Sequence, residues 1–118
     1  MVLKVLTLTG YQEIDISLVH YLRYSKNIIT IQGDNLKFLS RGTLVSWKKE
    51  LPQQFVSIDR STIINVLYIK SYNPNSAEVE MLDGETFKVS RRKQQALRDV
   101  VSSLYNDVIP VNRINLIS

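Results

Sequence analysis

The fold of this 118-residue chain is decided by residues 55–93, which begin F-V-S-I-D-R-S-T-I-I-N-V and end E-V-E-M-L-D-G-E-T-F-K-V-S-R-R-K. Apolar and polar residues alternate along both pieces, as expected for strands that bury one face. The second piece closes with three adjacent cations at residues 91–93, directly after Ser90, whose residue type often caps helices. The stretch therefore predicts paired strands that lead into a helix with a basic beginning.

The turn L-D-G at residues 82–84 allows two registers for the hairpin around it. A two-residue turn would mix polar and apolar side chains on both faces of the hairpin. A three-residue loop instead places Val79 opposite Phe87 and gives one apolar face. Because one face must be buried, we expect the three-residue loop, with Gly84 in the left-handed bulge position.

Other short apolar runs, bounded by turn residues, predict further strands. These lie at residues 2–9, 14–16, 19–24, 28–32, 36–39, 55–58 and 69–72. Residues 10–13 are predicted to be a turn, and residues 63–67 fit either a strand or a tight helical turn. Turns rather than crossover helices separate the strands, so we expect antiparallel sheets. The predicted fold class is mainly β, with about seven to nine short strands and two short-to-medium helices.

Two segments predict helices. Thr43 can cap a helix over residues 44–51, which Pro52 ends. Its buried face consists of Leu44, Trp47 and Leu51. The second helix follows Ser90 and is predicted to end before Pro110. Its buried stripe consists of Leu97, Val100, Val101, Leu104, Tyr105 and Val108, which recur at a spacing of three to four residues.

The length predicts a single domain over residues 1–118. The chain has no cysteine, which excludes disulfides and thiolate metal sites and fits a cytoplasmic setting. No apolar run approaches the roughly 18–20 residues that cross a bilayer, and residues 1–10 lack a signal-peptide core. We therefore expect a soluble, unprocessed protein that does not bind membranes.

The net charge of +4 is unevenly distributed, and residues 86–98 hold five basic residues and no acid. Cations near a helix N-terminus oppose the helix dipole by a few tenths of a kcal/mol each. The free backbone N–H groups there nevertheless suit phosphate. The cluster therefore indicates either nucleic-acid binding or a solvated basic surface.

Enzymatic and metal chemistry has little support in the sequence. The single histidine, His20, lies in a predicted strand, where a packed role is expected, and no second imidazole or thiol completes a metal site. Turn chemistry explains Asp83 and Glu85, and no glycine-rich phosphate loop occurs. We expect a protein that is not an enzyme and needs no cofactor or metal. Six tyrosines are predicted to be packing residues: Tyr11, Tyr21, Tyr24, Tyr68, Tyr72 and Tyr105.

Residues 55–66 resemble the F-x-R-x-H-R-S-x-x-V-N signature of LytTR-type DNA-binding domains. Further matches follow in the family's order. These are V-H-Y-L-R-Y-S-K-N-I-I-T-I at residues 19–31, the helix at 43–51, I-K-S at 69–71 and V-E-M-L-D-G-E-T-F-K-V-S-R-R at 79–92. The resemblance covers about residues 14–104 and implies an elongated antiparallel β-domain.

The resemblance also implies a function: the output domain of a bacterial transcription regulator in two-component systems, which binds double-stranded DNA. Such domains present loops to successive grooves and bind repeated half-sites as a pair, with major-groove contacts expected. The family's usual receiver domain is missing from this sequence, so we expect a separate sensor or receiver protein as a partner. Carried over by position, the residues that would contact DNA are Ser25, Lys26, Asn27, Arg60, Ser90, Arg91, Arg92 and Lys93. Arginines suit guanine edges, and lysines suit phosphates.

Two positions depart from the family pattern, because Ser57 and Asp59 stand where basic residues are frequent. One hypothesis is that Asp59 orients Arg60. An alternative function follows from the same departures, namely a non-enzymatic protein-interaction module that kept the fold but lost DNA binding. The apolar tail at residues 109–118 fits an added strand, a docking segment or a loose end. The chain fits either a standalone regulator or an excised domain.

Overall fold

The computed structural model describes residues 1–105, so residues 106–118 lie outside the described part. The strands are β1 (Val2–Thr7), β2 (Gly10–Asp15), β3 (Val19–Ser25), β4 (Ile28–Gly33), β5 (Leu36–Ser40), β6 (Phe55–Asp59), β7 (Thr62–Asn65), β8 (Ile69–Asn73), β9 (Glu78–Met81) and β10 (Thr86–Lys88). The helices are α1 (Leu44–Glu50) and α2 (Gln94–Tyr105). Short 3-10 turns occur at Ile16–Leu18, Val66–Tyr68 and Arg91–Lys93.

The strands form two antiparallel sheets. Seven strands lie in the order β2-β1-β5-β4-β3-β7-β6, and three lie in the order β10-β9-β8. The molecule measures 44 × 27 × 25 Å, so it is elongated. This arrangement confirms the predicted mainly β class, with its antiparallel sheets and two helices.

Two hydrophobic cores hold the sheets and helices together. One core joins both sheets to α2, and its fully buried members include Ile58, Val79 and Leu97. The other lies under α1, where Leu51 is buried and Leu44 and Trp47 are partly buried, as predicted. On α2, the predicted stripe is confirmed at four positions: Leu97, Val100, Val101 and Leu104. The Tyr105 side chain, Val108 and the end before Pro110 lie outside the described residues.

The register of the β9–β10 hairpin follows the sequence prediction. Val79 pairs with Phe87, and three residues form the loop. Gly84 has a φ of 91°, a conformation that side chains with a Cβ rarely adopt. The run at residues 63–67 contains both predicted alternatives, because β7 passes directly into a 3-10 turn.

The prediction of a turn at residues 10–13 is wrong. These residues belong to β2, which pairs with β1 along its whole length, from Val2 opposite Asp15 to Thr7 opposite Gly10. Tyr11 is 71% exposed, so its predicted packing role is also wrong. The polar Tyr-Gln-Glu sequence resembles a turn because β2 is an edge strand with one solvated face.

Candidate nucleic-acid interface

The β3–β4 hairpin turns at Lys26 and Asn27, which have positive φ angles of 52° and 66°. This is the type I′ geometry, whose twist matches that of the flanking strands. The Tyr24 hydroxyl donates to Asn27 Oδ1 over 2.9 Å, which leaves the NH2 group of Asn27 free to donate. Ser25, Lys26 and Asn27 are exposed. The predicted contact loop thus presents a hydroxyl, an ammonium group and an oriented amide.

Asp59, Arg60 and Ser61 form the adjacent turn between β6 and β7. The Tyr24 N–H donates to the Ser61 carbonyl over 2.7 Å, so Arg60 lies at the same sheet end as residues 25–27. The Asp59 carboxylate accepts the Ser61 N–H over 2.7 Å and thereby fixes the turn. Within residues 1–105, no arginine nitrogen lies within 4.0 Å of this carboxylate. Asp59 therefore orients the turn backbone and not, as hypothesised, the Arg60 guanidinium.

The basic cluster Arg91–Lys93 forms a 3-10 turn that precedes α2. The predicted capping role of Ser90 is wrong, because its side chain makes no capping hydrogen bond. Its backbone is instead held by the neighbouring strand, since the Ser90 N–H donates to the Ile58 carbonyl over 2.8 Å. Because Ile58 lies in β6 just before the β6–β7 turn, this bond places the basic cluster beside Arg60.

A groove of about 680 Å³ lies between α1, the β6–β7 turn and the 3-10 turn before α2. We call it the basic groove, and it is lined by Leu44, Val45, Lys48, Lys49, Ser57, Asp59, Arg60, Arg92 and Lys93. An adjoining depression of about 340 Å³ shares four of these lining residues and adds Ser90 and Arg91. The structure therefore brings the predicted residues 60 and 90–93 onto one surface. Residues 25–27 do not line the groove, although they lie at the same sheet end.

Sequence reasoning missed Lys48 and Lys49. Both are exposed on α1, and neither belongs to the core under that helix. A signal existed, because the K-K pair falls outside the apolar stripe of the helix. It was ambiguous, since cations in a last helical turn are also favoured by the helix dipole.

The basic groove concentrates positive charge. Its lining has five cations (Lys48, Lys49, Arg60, Arg92 and Lys93) and one acid, Asp59, so its formal charge is five minus one, or +4. In the described part of the chain, no carboxylate oxygen lies within 4.0 Å of any of these five cationic groups. Unpaired like charges around one groove repel each other, and a polyanion relieves that repulsion.

Two polar contacts tie the small sheet to the large one near this surface. The Tyr21 hydroxyl donates to Asp83 over 3.1 Å, and Arg23 forms an ion pair with Glu85 at 2.6 Å. The Arg23 guanidinium also lies 4.8 Å from the centre of the Phe87 ring. Burial, together with the negative charge of Asp83, raises the pKa of Tyr21 to about 12. These contacts hold β10, and hence the basic cluster that follows it, against β3.

The remaining candidate chemistry is structural. His20 is buried and stacks on Tyr68 with ring centres 4.0 Å apart, which confirms the predicted packed role. Residues 1–105 contain no group of three or more acidic or histidine side chains that could hold a metal ion. In the same residues, no helix is both long and apolar enough to span a membrane.

Comparison with known proteins supplies the family. The model of the LytTr DNA-binding domain matches residues 10–102. A solved structure described as the LytTr DNA-binding domain of a methyl-accepting/DNA response regulator from Bacillus cereus is similar to this chain. It shows a TM-score of 0.73 and 26% identity, and the match covers 85% of this chain and 95% of that one. No curated protein matches. Because the family model spans most of the sequence, the chain belongs to the LytTR family of DNA-binding domains.

Proposed function

We propose that this chain binds double-stranded DNA sequence-specifically, as a bacterial transcription regulator. The observation that carries the proposal is the convergence of Arg60, Arg92 and Lys93 with the two lysines of α1 around the basic groove. These residues come from three distant segments, and their charges have no ion-pair partner within the described residues. Such a concentration of unpaired cations fits the regular phosphates of a duplex.

The β3–β4 loop at residues 25–27 and the basic groove suggest different roles in binding. Arg60 and Arg92 can each donate two parallel bonds to a guanine edge, and the oriented NH2 of Asn27 can donate to a base acceptor. The lysines of the basic groove, with Lys26 and Arg91, suit the flanking phosphates. The hydroxyls of Ser25 and Ser90 suit phosphate oxygens as additional donors. Phosphate contacts fix the register of the protein on the duplex, and base contacts select the sequence.

The proposal also covers how the domain would assemble on DNA and how it would be controlled. Two copies would bind repeated half-sites, with the β3–β4 hairpin and the β6–β7 turn facing major grooves. The domain would act in the cytoplasm under the control of a separate sensor or receiver protein. A non-enzymatic role follows, because the proposed surface binds by charge and hydrogen bonding and needs no cofactor.

Fluorescence anisotropy on DNA from binding-site selection tests the proposal. We expect log K to fall with log salt at a slope of about −0.9 for each phosphate that is neutralised. Arg92→Ala should reduce discrimination by about 1–3 kcal/mol at one base, whereas Lys93→Ala should weaken binding evenly across sequences. Lys37→Ala is the matched control, because the exposed Lys37 lies on β5 outside the basic groove. Absence of salt-sensitive binding to any fragment would favour the protein-interaction module instead.

A further inference from the structure

Val45 is an exposed apolar side chain without a packing role. It is 69% exposed, more than any other valine, leucine, isoleucine or methionine in residues 1–105. It belongs to neither hydrophobic core, whereas Leu44 and Trp47 of the same helix pack on the core under α1. Valine also has a lower helix propensity than alanine. Neither the packing of α1 nor its local stability therefore accounts for a valine at this position.

Val45 shares one face of α1 with the two lysines of that helix. Lys48 and Lys49 follow it by three and four residues, and side chains at these spacings are neighbours on a helix surface. All three residues line the basic groove. α1 therefore contributes to the groove an apolar group and two cations that lie about one helical turn apart.

The remaining cations of the basic groove come from the facing turns. Arg60 lies in the β6–β7 turn, and Arg92 and Lys93 lie in the 3-10 turn before α2. Arginine and lysine side chains donate hydrogen bonds and cannot accept them. They can recognise the acceptor atoms of phosphates and guanine edges, but not the C5-methyl group of thymine, which is the apolar mark that a base pair presents in the major groove.

The apolar part of the groove lining can recognise such a methyl group. It consists of Leu44 and Val45, next to each other on α1. The Leu44 side chain is partly buried against the core, so most of the apolar surface open to a ligand belongs to Val45. An exposed apolar group beside arginines that suit base edges is the combination that distinguishes thymine from the other bases.

We propose that Val45 contacts the C5-methyl group of a thymine in the major groove and thereby selects thymine at one position of the DNA site. This inference rests on the proposed DNA binding by the basic groove. Phosphate contacts by Lys48 and Lys49, on the same helix face, would hold α1 against the duplex. Removing from water the apolar surface of about one methyl group corresponds to a change of about 4-fold in Kd.

Replacing thymidine by deoxyuridine tests the contact, because it removes the C5-methyl group and keeps every hydrogen-bonding group of the base pair. Each thymidine of a duplex obtained by binding-site selection is replaced in turn, and Kd is measured by fluorescence anisotropy. With the parent protein, one replacement should weaken binding about 4-fold. Val45→Ala should bind the thymidine duplex about 4-fold more weakly than the parent, and the same replacement should then have no further effect.

Val2→Ala is the matched control, because Val2 is an exposed valine on β1 that lies outside the basic groove. It should respond to each deoxyuridine as the parent does. Since Val45 is exposed and outside both cores, Val45→Ala should leave the fold unchanged, which equal midpoints in urea melts of the parent and the variant would verify.

Three outcomes would overturn the inference and leave the proposed DNA binding standing. In the first, no deoxyuridine replacement weakens binding of the parent. In the second, the losses from deoxyuridine and from Val45→Ala multiply at every position, so that the two groups act independently. In the third, Val45→Ala weakens binding equally on all duplexes, as expected for contact with the sugar-phosphate backbone. Absence of salt-sensitive binding of the parent to any duplex is a different result, because it overturns the proposed function together with this inference.

Discussion

The lysines of α1 allow a quantitative test of the basic groove. Replacing Lys48 and Lys49 together by alanine removes two of the five cations that line it. Both side chains are exposed and lie outside the cores, so the substitutions should leave the fold unchanged. Each phosphate contact contributes about 0.9 to the slope of log K against log salt, so the double variant should lose about 1.8 from that slope.

The slope converts into affinity. Between about 50 and 200 mM salt, log salt changes by about 0.6, so two contacts account for roughly a 12-fold change in Kd over that range. The parent should therefore lose about 12-fold more affinity than Lys48→Ala/Lys49→Ala across the same range. Base preference should be unchanged in the variant, since phosphate contacts carry no sequence information.

A matched control separates local contact from net charge. Lys37→Ala/Lys70→Ala also lowers the net charge from +4 to +2, but both of its lysines lie outside the basic groove. Anisotropy titrations of the parent and both variants at several salt concentrations give the three slopes. Equal slopes for the two variants would refute the reasoning, because global charge alone would then explain the effect.

Three further predictions concern single positions. Gly33→Ala should lower the free energy of unfolding in urea by about 1–3 kcal/mol, because an added Cβ would overlap the Leu18 carbonyl oxygen; an unchanged midpoint would contradict this close approach. Tyr21 has its pKa raised to about 12 from 10.0, so its stabilisation is complete below pH 10 and is lost as pH rises through 12. Between about pH 9 and 11 the parent should therefore lose about 1.3 kcal/mol more stability than Tyr21→Phe, and parallel pH profiles in urea melts would count against it. Asp59→Asn keeps an acceptor for the Ser61 N–H and removes a negative charge, so it should strengthen binding equally on all DNA sequences; a change in selectivity measured by anisotropy would instead restore the arginine-orienting hypothesis.

The sequence predicted those features that local chemistry determines. The register between Val79 and Phe87 follows from strand alternation, and the helix after Thr43 follows from its cap and apolar face. The first half of β2, residues 10–13, was predicted as a turn because an exposed edge strand needs no apolar alternation on its solvent face. The sequence did not predict that Lys48 and Arg92 line the same groove. Their proximity depends on how α1 packs relative to α2, which no local sequence pattern indicates.

The position of the basic cluster revises the argument from the helix dipole. The cations occupy a 3-10 turn, and α2 begins only at Gln94, so Arg91–Lys93 do not fill the first turn of the α-helix itself. The electrostatic cost of the cluster then comes mainly from its convergence with Arg60 and the α1 lysines. The backbone of the cluster cannot move apart to relieve this repulsion, because it is held at two places. The Ser90 N–H donates to the Ile58 carbonyl of β6, and Glu85, just before β10, forms an ion pair with Arg23 of β3. A surface whose cations are held close together before any partner arrives loses less conformational entropy on binding phosphates, so under the proposed function these strand contacts would favour binding in addition to the charges.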